Sequence, residues 1–124
     1  MVEAAPTVLI VDDDRNLRRL YKAELDSAGY RTLVAESGRE ATEIAAAESP
    51  DVVVMDIRMP EMDGLEAMGR ILRDRAATRI ILNTAYSCYQ DDFVTWAADA
   101  YVVKSSDVDV LKKKIREVLS TDRI

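Results

Sequence analysis

Short apolar runs alternate along the chain with segments whose apolar residues recur at helical spacing. The runs predict five strands, at residues 8–11, 30–35, 51–56, 79–82 and 101–103. A segment that predicts a helix follows each strand, and the helix after the fourth strand is expected near residues 87–96. Five strands that are each followed by a helix predict an α/β fold, in which helices cover both faces of a parallel sheet.

Polar residues mark several of the predicted helix ends. Asp14 and Asp63 are expected to cap the first and third helices, and Ser37 with Glu40 has the spacing of a capping box. Gly29 follows the first helical pattern, where a C-terminal cap is expected. These signals agree with the boundaries that the apolar pattern predicts.

The third strand, within VVVMDIRMPEMDG at residues 52–64, ends in the carboxylate Asp56. Ligands of open parallel sheets bind beyond the carboxyl ends of the strands, so the residues that end the other strands should lie near it. Those ends carry Asp12-Asp13-Asp14, Thr84 and Lys104, whereas the second strand, which ends near Glu36, offers no obvious partner. Each residue alone has an ordinary explanation as a cap or surface group. Together, however, the crowded carboxylates require a cation among them.

The ligand types at this edge favour Mg²⁺. They are oxygen donors, and Mg²⁺ commonly takes one or two carboxylates and completes its shell with water and phosphate oxygens. Beside a metal, a hydroxyl and the Lys104 ammonium, Asp56 is a candidate nucleophile for phosphoryl transfer.

Composition excludes several other classes of function. The 124-residue chain has no histidine, which excludes Ser-His-Asp and Cys-His sites and any zinc site that needs imidazole. Its net charge of −6 argues against sequence-independent binding of nucleic acid. No apolar run predicts membrane insertion, and the single cysteine, Cys88, favours a reducing compartment such as the cytoplasm.

Four motifs, LIVDDD, VVVMDIRMPEMDG, IILNTA and AYVVK, occur in an order and spacing that resembles the receiver domain of two-component response regulators. The resemblance covers essentially the whole chain and implies one chemotaxis-regulator-like receiver domain over residues 1–124. It implies a flavodoxin-like, doubly wound sheet of strand order 2-1-3-4-5, which is the order of receiver proteins in general. It also implies a cytoplasmic phosphorelay protein that is not an enzyme in its own right.

The resemblance assigns the acidic residues their roles. Asp56 would accept a phosphoryl group from a phosphohistidine of a partner histidine kinase or histidine phosphotransfer protein. Asp12, Asp13 and Asp56, with the backbone carbonyl of Arg58, would hold Mg²⁺. The lack of histidine fits this reading, because the donor is then another protein.

The resemblance also implies residues that would bind the phosphoryl group and residues whose conformation would change when it is bound. Thr84, the backbone N–H of Ala85 and Lys104 would bind the phosphoryl oxygens, and the Tyr101 ring would follow Thr84 as a switch. The predicted helix near 87–96, the fifth strand and the last helix would form the switching face, which would bind a downstream target or a second copy. An aromatic cluster in sequence supports this face: Tyr86, Tyr89, Phe93 and Trp96.

The chain departs from the family at four positions. Ser105 follows Lys104 where receivers usually have proline after a cis peptide, so this bond is either strained or trans. Ala97 stands where glycine is frequent, and Asn83 is polar where an apolar residue is usual. Tyr86 is bulky enough to hinder the approach of water to a phosphoaspartate. These differences indicate an atypical output face.

Two alternatives remain open from the sequence. Val8–Asp14 also resembles the first motif of haloacid-dehalogenase-type phosphatases, with Asp12 as nucleophile and Asp14 as acid-base group, although no acidic pair ends a strand after Lys104. A pseudo-receiver that binds partners without phosphorylation is the other alternative, and Ser105 is its main support. The sequence ends soon after the last predicted helix, so we expect either a single-domain regulator or part of a longer one.

Overall fold

The computed structural model describes residues 5–56, 64–84, 98–104 and 108–120. Within these ranges the chain forms five strands and four helices. The strands are β1 (Thr7–Val11), β2 (Arg31–Ala35), β3 (Val52–Met55), β4 (Arg79–Thr84) and β5 (Ala100–Val103). The helices are α1 (Arg15–Ser27), α2 (Gly38–Glu48), α3 (Gly64–Asp74) and α4 (Val108–Ser120).

All five strands form one parallel sheet of order β2-β1-β3-β4-β5, which confirms the predicted fold class and strand order. The register pairs Val11 with Met55 and Met55 with Leu82, so β1, β3 and β4 approach the same edge together. The polar residues that follow these strands are therefore neighbours in space, as the sequence predicts.

Helices cover both faces of the sheet, which explains why the strands are uninterrupted apolar runs. On one face, strand residues such as Val53 and Met55 pack with Ala41 of α2 and Met68 of α3. On the other face, alternate strand residues pack against α1 and α4, and this cluster is called the α1–α4 layer: Val8, Ile10, Tyr21, Leu25, Val52, Val54, Ile81, Val102, Leu111, Ile115 and Val118.

The helix ends confirm two predicted caps and explain a third position. Asp14 accepts hydrogen bonds from the backbone N–H groups of Asn16 and Leu17, and Ser37 accepts one from Glu40. After α1, Gly29 has a φ of +97°, while its N–H donates to Asp26 and that of Tyr30 donates to Leu25. This pattern of two bonds is the Schellman motif, which requires a left-handed residue at the position that Gly29 occupies.

Several predicted features lie outside the described residues: Asp63, the helix near 87–96 with its aromatic cluster, Ala97, and the peptide between Lys104 and Ser105. Element boundaries differ slightly from those predicted, because β4 continues to Thr84 and β5 begins at Ala100. Among the helices in the described ranges, none combines the length and apolarity needed to cross a bilayer.

Candidate functional site

Asp12 and Asp56 lie side by side at the ends of β1 and β3. The N–H of Asp12 donates to the carbonyl of Ala35 at 3.1 Å, and that of Asp56 donates to the carbonyl of Val11 at 3.0 Å. These bonds continue the sheet for one residue beyond each strand. They hold two carboxylates at its edge, where Asp12 and Asp56 are only 2% and 7% exposed.

Lys104 reaches both carboxylates from the end of β5. Its ammonium lies 2.6 Å from an oxygen of Asp12 and 3.0 Å from an oxygen of Asp56. Because β4 lies between β5 and β3, the lysine side chain extends past the end of β4 to make these contacts. Burial by itself lowers the pKa of Lys104, but the hydrogen bonds and charges of Asp12 and Asp56 outweigh it and raise that pKa. The lysine is therefore a fixed positive charge at the site.

Three carboxylates converge at this edge in a geometry that suits a divalent cation. Oxygens of Asp12, Asp13 and Asp56 all lie within 4.8 Å of one another, and Asp13 is the exposed member. The Oδ1 atom of Asp12 accepts a hydrogen bond of 2.9 Å from the backbone N–H of Asp14, which orients this carboxylate. An oxygen-only set that is partly open to water fits Mg²⁺, as the sequence predicts.

Arg18 forms a hydrogen bond with the acidic loop, Asp12-Asp13-Asp14, that the sequence does not predict. One nitrogen of its guanidinium donates to the backbone carbonyl of Asp12 at 2.8 Å, and another lies 3.8 Å from Glu36. Glu36, which follows the second strand, is therefore linked to the acidic loop through Arg18. No sequence signal distinguishes this arginine from the others of α1, because its role depends on how the helix docks.

Asn83, noted above as an unusual polar residue, is buried and hydrogen-bonded to α1. Its side-chain nitrogen donates to the hydroxyl of Tyr21 at 3.1 Å, and both residues are 3% exposed. Tyr21 recurs at helical spacing with Leu17 and Leu25, but this spacing alone does not show that Asn83 is its partner.

The other predicted site residues are described in part. Thr84 is the last residue of β4, and Tyr101 lies on β5 in register with Leu82. Arg58 and Ala85 lie outside the described residues. The structure thus brings together Asp12, Asp13, Asp56 and Lys104, and it places the backbone of Thr84 at the same edge.

Comparisons of the sequence and of the fold with known proteins identify the same family. The sequence model of the family described as "Response regulator receiver domain" matches residues 8–116. Regulatory protein AtoC of Escherichia coli is 39% identical over 114 residues, which are 90% of this chain and 25% of AtoC. A probable transcriptional regulator, ycf27 of Guillardia theta, is 37% identical over 95% of this chain and 47% of its own length. The chain thus spans a quarter to about half of these relatives.

Solved structures resemble the fold closely. Response regulator TrrA of Thermotoga maritima, crystallised with Mg²⁺ and BeF, superposes with a TM-score of 0.88 at 44% identity. That alignment covers 91% of this chain and 98% of TrrA. TrrA in complex with the histidine kinase ThkA gives a TM-score of 0.86 at 45% identity, over 93% of this chain and 99% of TrrA.

Proposed function

The chain belongs to the response regulator receiver family, and on that premise we propose that Asp56 is its phosphoacceptor. Receiver domains are signalling modules, and the family match favours this function over the phosphatase alternative. The observation that carries the assignment is the position of Asp56. It is a buried carboxylate at the end of a central strand, 3.0 Å from the Lys104 ammonium and beside Asp12 and Asp13.

In the proposed reaction, an oxygen of Asp56 attacks the phosphorus of a phosphohistidine on the donor protein. The new P–O bond forms as the P–N bond to the imidazole breaks, and the departing nitrogen takes up a proton. Lys104, which now neutralises Asp12 and Asp56, would bind an oxygen of the transferred group. Transfer of this kind depends mainly on positioning and on neutralising charge, and the site supplies both.

Asp12, Asp13 and Asp56 would hold Mg²⁺, with the backbone carbonyl of Arg58 as a further ligand. When bound, the ion supplies positive charge that neutralises the oxygens of the phosphoryl group. The crystallised complex of TrrA with Mg²⁺ and BeF supports this proposal. Thr84, the N–H of Ala85 and the Tyr101 ring keep the roles that the family resemblance implies, as part of the same proposal.

The proposed phosphodonor is a histidine kinase or a histidine phosphotransfer protein, and the complex of TrrA with ThkA supports a kinase. We propose that residues 1–124 form one receiver domain and that it works in the cytoplasm, since a single cysteine suits a reducing compartment. The proposed output face comprises the segment near 87–96, β5 and α4. It would contact a downstream protein or a second copy after phosphorylation.

The phosphoacceptor is tested with a low-molecular-weight acyl phosphate and Mg²⁺, followed by mass spectrometry of the peptides. We expect the wild-type protein to gain one phosphoryl group at Asp56 and Asp56→Asn to gain none. Asp14→Asn is the matched control, because asparagine caps a helix as well as aspartate does. Labelling that survives in Asp56→Asn but disappears in Asp12→Asn would support the phosphatase alternative instead.

The output face is tested by sedimentation and amide exchange with and without beryllofluoride and Mg²⁺. Exchange should change within residues 84–115 if phosphorylation alters that face, and self-association would identify a second copy as the partner. A change confined to the loop after Asp56 would refute the proposed face.

A further inference from the structure

The hydrogen bond between Asn83 and Tyr21 crosses a layer of apolar side chains. Both residues lie on the sheet face that α1 covers, because Asn83 follows Ile81 by two positions and Tyr21 packs in the α1–α4 layer. The 3.1 Å bond links the end of β4 directly to the middle of α1. A buried amide without a partner destabilises a fold, so the pair depends on both members.

The position of Asn83 relates this bond to the acidic site. The register pairs Met55 with Leu82, so one step further along the strands Asp56 is next to Asn83. On its other side Asn83 pairs with Val102, two residues before Lys104. The ion pair between Lys104 and Asp56 therefore passes the end of β4, close to the residue that the Tyr21 hydroxyl holds.

Helix α1 is attached to the same site at its first turn. Asp14 caps this helix, and Arg18 donates to the backbone carbonyl of Asp12. Tyr21 lies about one turn further along, on the same rigid element. The helix thus connects the acidic loop after β1 to the end of β4, from opposite sides of Asp56.

From these relationships we infer that Asn83 and Tyr21 are positioning residues for phosphoryl transfer to Asp56. Their bond holds the end of β4 at one distance from α1, so that Lys104, which follows the strand paired with β4, meets the incoming phosphoryl group correctly. An apolar pair would fill the same space, but it would not select one relative position of strand and helix, because dispersion contacts have little directionality. The inference rests on the proposed role of Asp56.

The test uses a double variant that removes the polar link while keeping an apolar core. Tyr21→Phe with Asn83→Leu replaces both partners by side chains of similar shape, so the midpoint of thermal unfolding should stay near that of the wild type. Tyr21→Phe alone removes the acceptor of the Asn83 side-chain nitrogen and should lower the midpoint. If the Asn83→Leu side chain packs poorly, Tyr21→Phe with Asn83→Val gives the same contrast. Tyr30→Phe, at the opposite end of the sheet and partly buried against the α1–α4 layer, is the matched control.

Phosphorylation rate and Mg²⁺ affinity are then measured together on these proteins. We expect the double variant to accept phosphoryl groups from the acyl phosphate about three- to tenfold more slowly. Its Mg²⁺ midpoint, followed by amide chemical shifts, should stay within about twofold, because the backbone bonds that hold Asp12 and Asp56, to Ala35 and Val11, involve neither altered residue. Tyr30→Phe should change neither quantity.

A double variant that is as stable as the wild type and is labelled equally fast would overturn the inference, leaving Asn83 as an ordinary paired core residue. An Mg²⁺ midpoint that shifts as much as the rate would also overturn it, because the effect would then act through the metal. Failure of the wild-type protein to be labelled at all would instead refute the proposed function.

Discussion

The Lys104 ammonium lies 2.6 Å from a carboxylate oxygen of Asp12, closer than its 3.0 Å contact with Asp56. One lysine thus neutralises carboxylates from two neighbouring strands, in the region where three acidic side chains would bind a cation. Ammonium and metal ion are therefore attracted by the same oxygens. This competition gives Lys104 two opposite effects, since it stabilises the metal-free protein and weakens the attraction of the site for Mg²⁺.

Replacing Lys104 by methionine should separate these two effects. Without Mg²⁺, the free energy of unfolding should fall by about 2 kcal/mol, because two largely buried carboxylates lose their shared counter-charge. With millimolar Mg²⁺, the variant should regain more stability than the wild type does, because it binds the ion more tightly. Denaturant unfolding with and without Mg²⁺ measures both quantities.

The control for this experiment is Lys112→Met, which removes another lysine that contacts a carboxylate, at 2.7 Å from Glu24. This pair joins α4 to α1 and does not include a residue of the acidic cluster. Its loss should leave the Mg²⁺ effect unchanged. Equal stabilisation of Lys104→Met and wild type by Mg²⁺ would show that ammonium and metal do not compete.

Asp13→Asn should raise the free energy of unfolding when Mg²⁺ is absent, whereas Lys104→Met should lower it. Asp13 is the exposed member of the cluster, and removing its charge relieves repulsion with Asp12 and Asp56. We expect unfolding free energy to rise by at most about 0.5 kcal/mol. Mg²⁺ affinity, followed by the amide shifts, should fall about tenfold, since carboxylate number sets the affinity of such sites. An unchanged Mg²⁺ titration would remove Asp13 from the ligand set.

The pair between Lys112 and Glu24 predicts a dependence of stability on alkaline pH. The hydrogen bond that Lys112 donates to Glu24 is the main cause that raises the pKa of Lys112 above the ordinary 10.5. Burial has a smaller effect that lowers this pKa. A raised pKa in the folded state means that the lysine contributes its full stabilisation below about pH 10.5 and loses it as the pH passes the folded-state pKa.

The measurement compares wild type with Lys112→Met by denaturant unfolding at several pH values. The difference in unfolding free energy should be constant between neutral pH and mildly alkaline pH, and it should shrink at higher pH. Other groups that titrate in this range act on both proteins and cancel in the difference. A difference that grows with alkaline pH would contradict a raised pKa of Lys112 in the folded state.

The sequence predicts the fold well because the apolar pattern and the caps report on it independently. Uninterrupted apolar runs such as Val52–Met55 are typical of strands in a sheet covered on both faces, and Asp14 and Ser37 mark where helices begin. Parallel topology then brings Asp12, Asp56 and Lys104 to one edge, although Asp56 follows Asp12 by 44 positions. Their position at one edge follows from chain direction, whereas the adjacency of β1 and β3 follows from the strand order that the family resemblance implies.

The contacts that support the site could not be predicted in the same way. The bond of Arg18 to the Asp12 carbonyl and that of Asn83 to Tyr21 depend on the rotation and depth of α1 against the sheet. Helical periodicity identifies the buried face of a helix, but it does not determine which polar atoms meet across the layer. Asn83 was visible in the sequence only as a polar residue where its family has an apolar one.

The opposite end of the sheet provides a test of whether stability and site chemistry are separable. There the Asp51 carboxylate accepts a hydrogen bond of 2.8 Å from the N–H of Thr7, and the Asp51 N–H donates to the Thr7 carbonyl at 2.9 Å. The Asp51 carbonyl also accepts a bond from Arg79, so this residue joins the starts of β1 and β4. Its side chain contributes one of these links.

Asp51→Ala should therefore lower the unfolding free energy by about 1 kcal/mol, because the Thr7 N–H loses an acceptor near the start of a buried strand. Asp51→Asn, which keeps an oxygen acceptor, should recover much of that loss. The rate of labelling at Asp56 should remain that of the wild type in both variants, since the whole length of the sheet separates the two carboxylates. Denaturant unfolding and acyl phosphate labelling on the same samples make the comparison. Slower labelling in Asp51→Ala would mean that stability alone limits the reaction, and slow labelling in any site variant would then need correction for it.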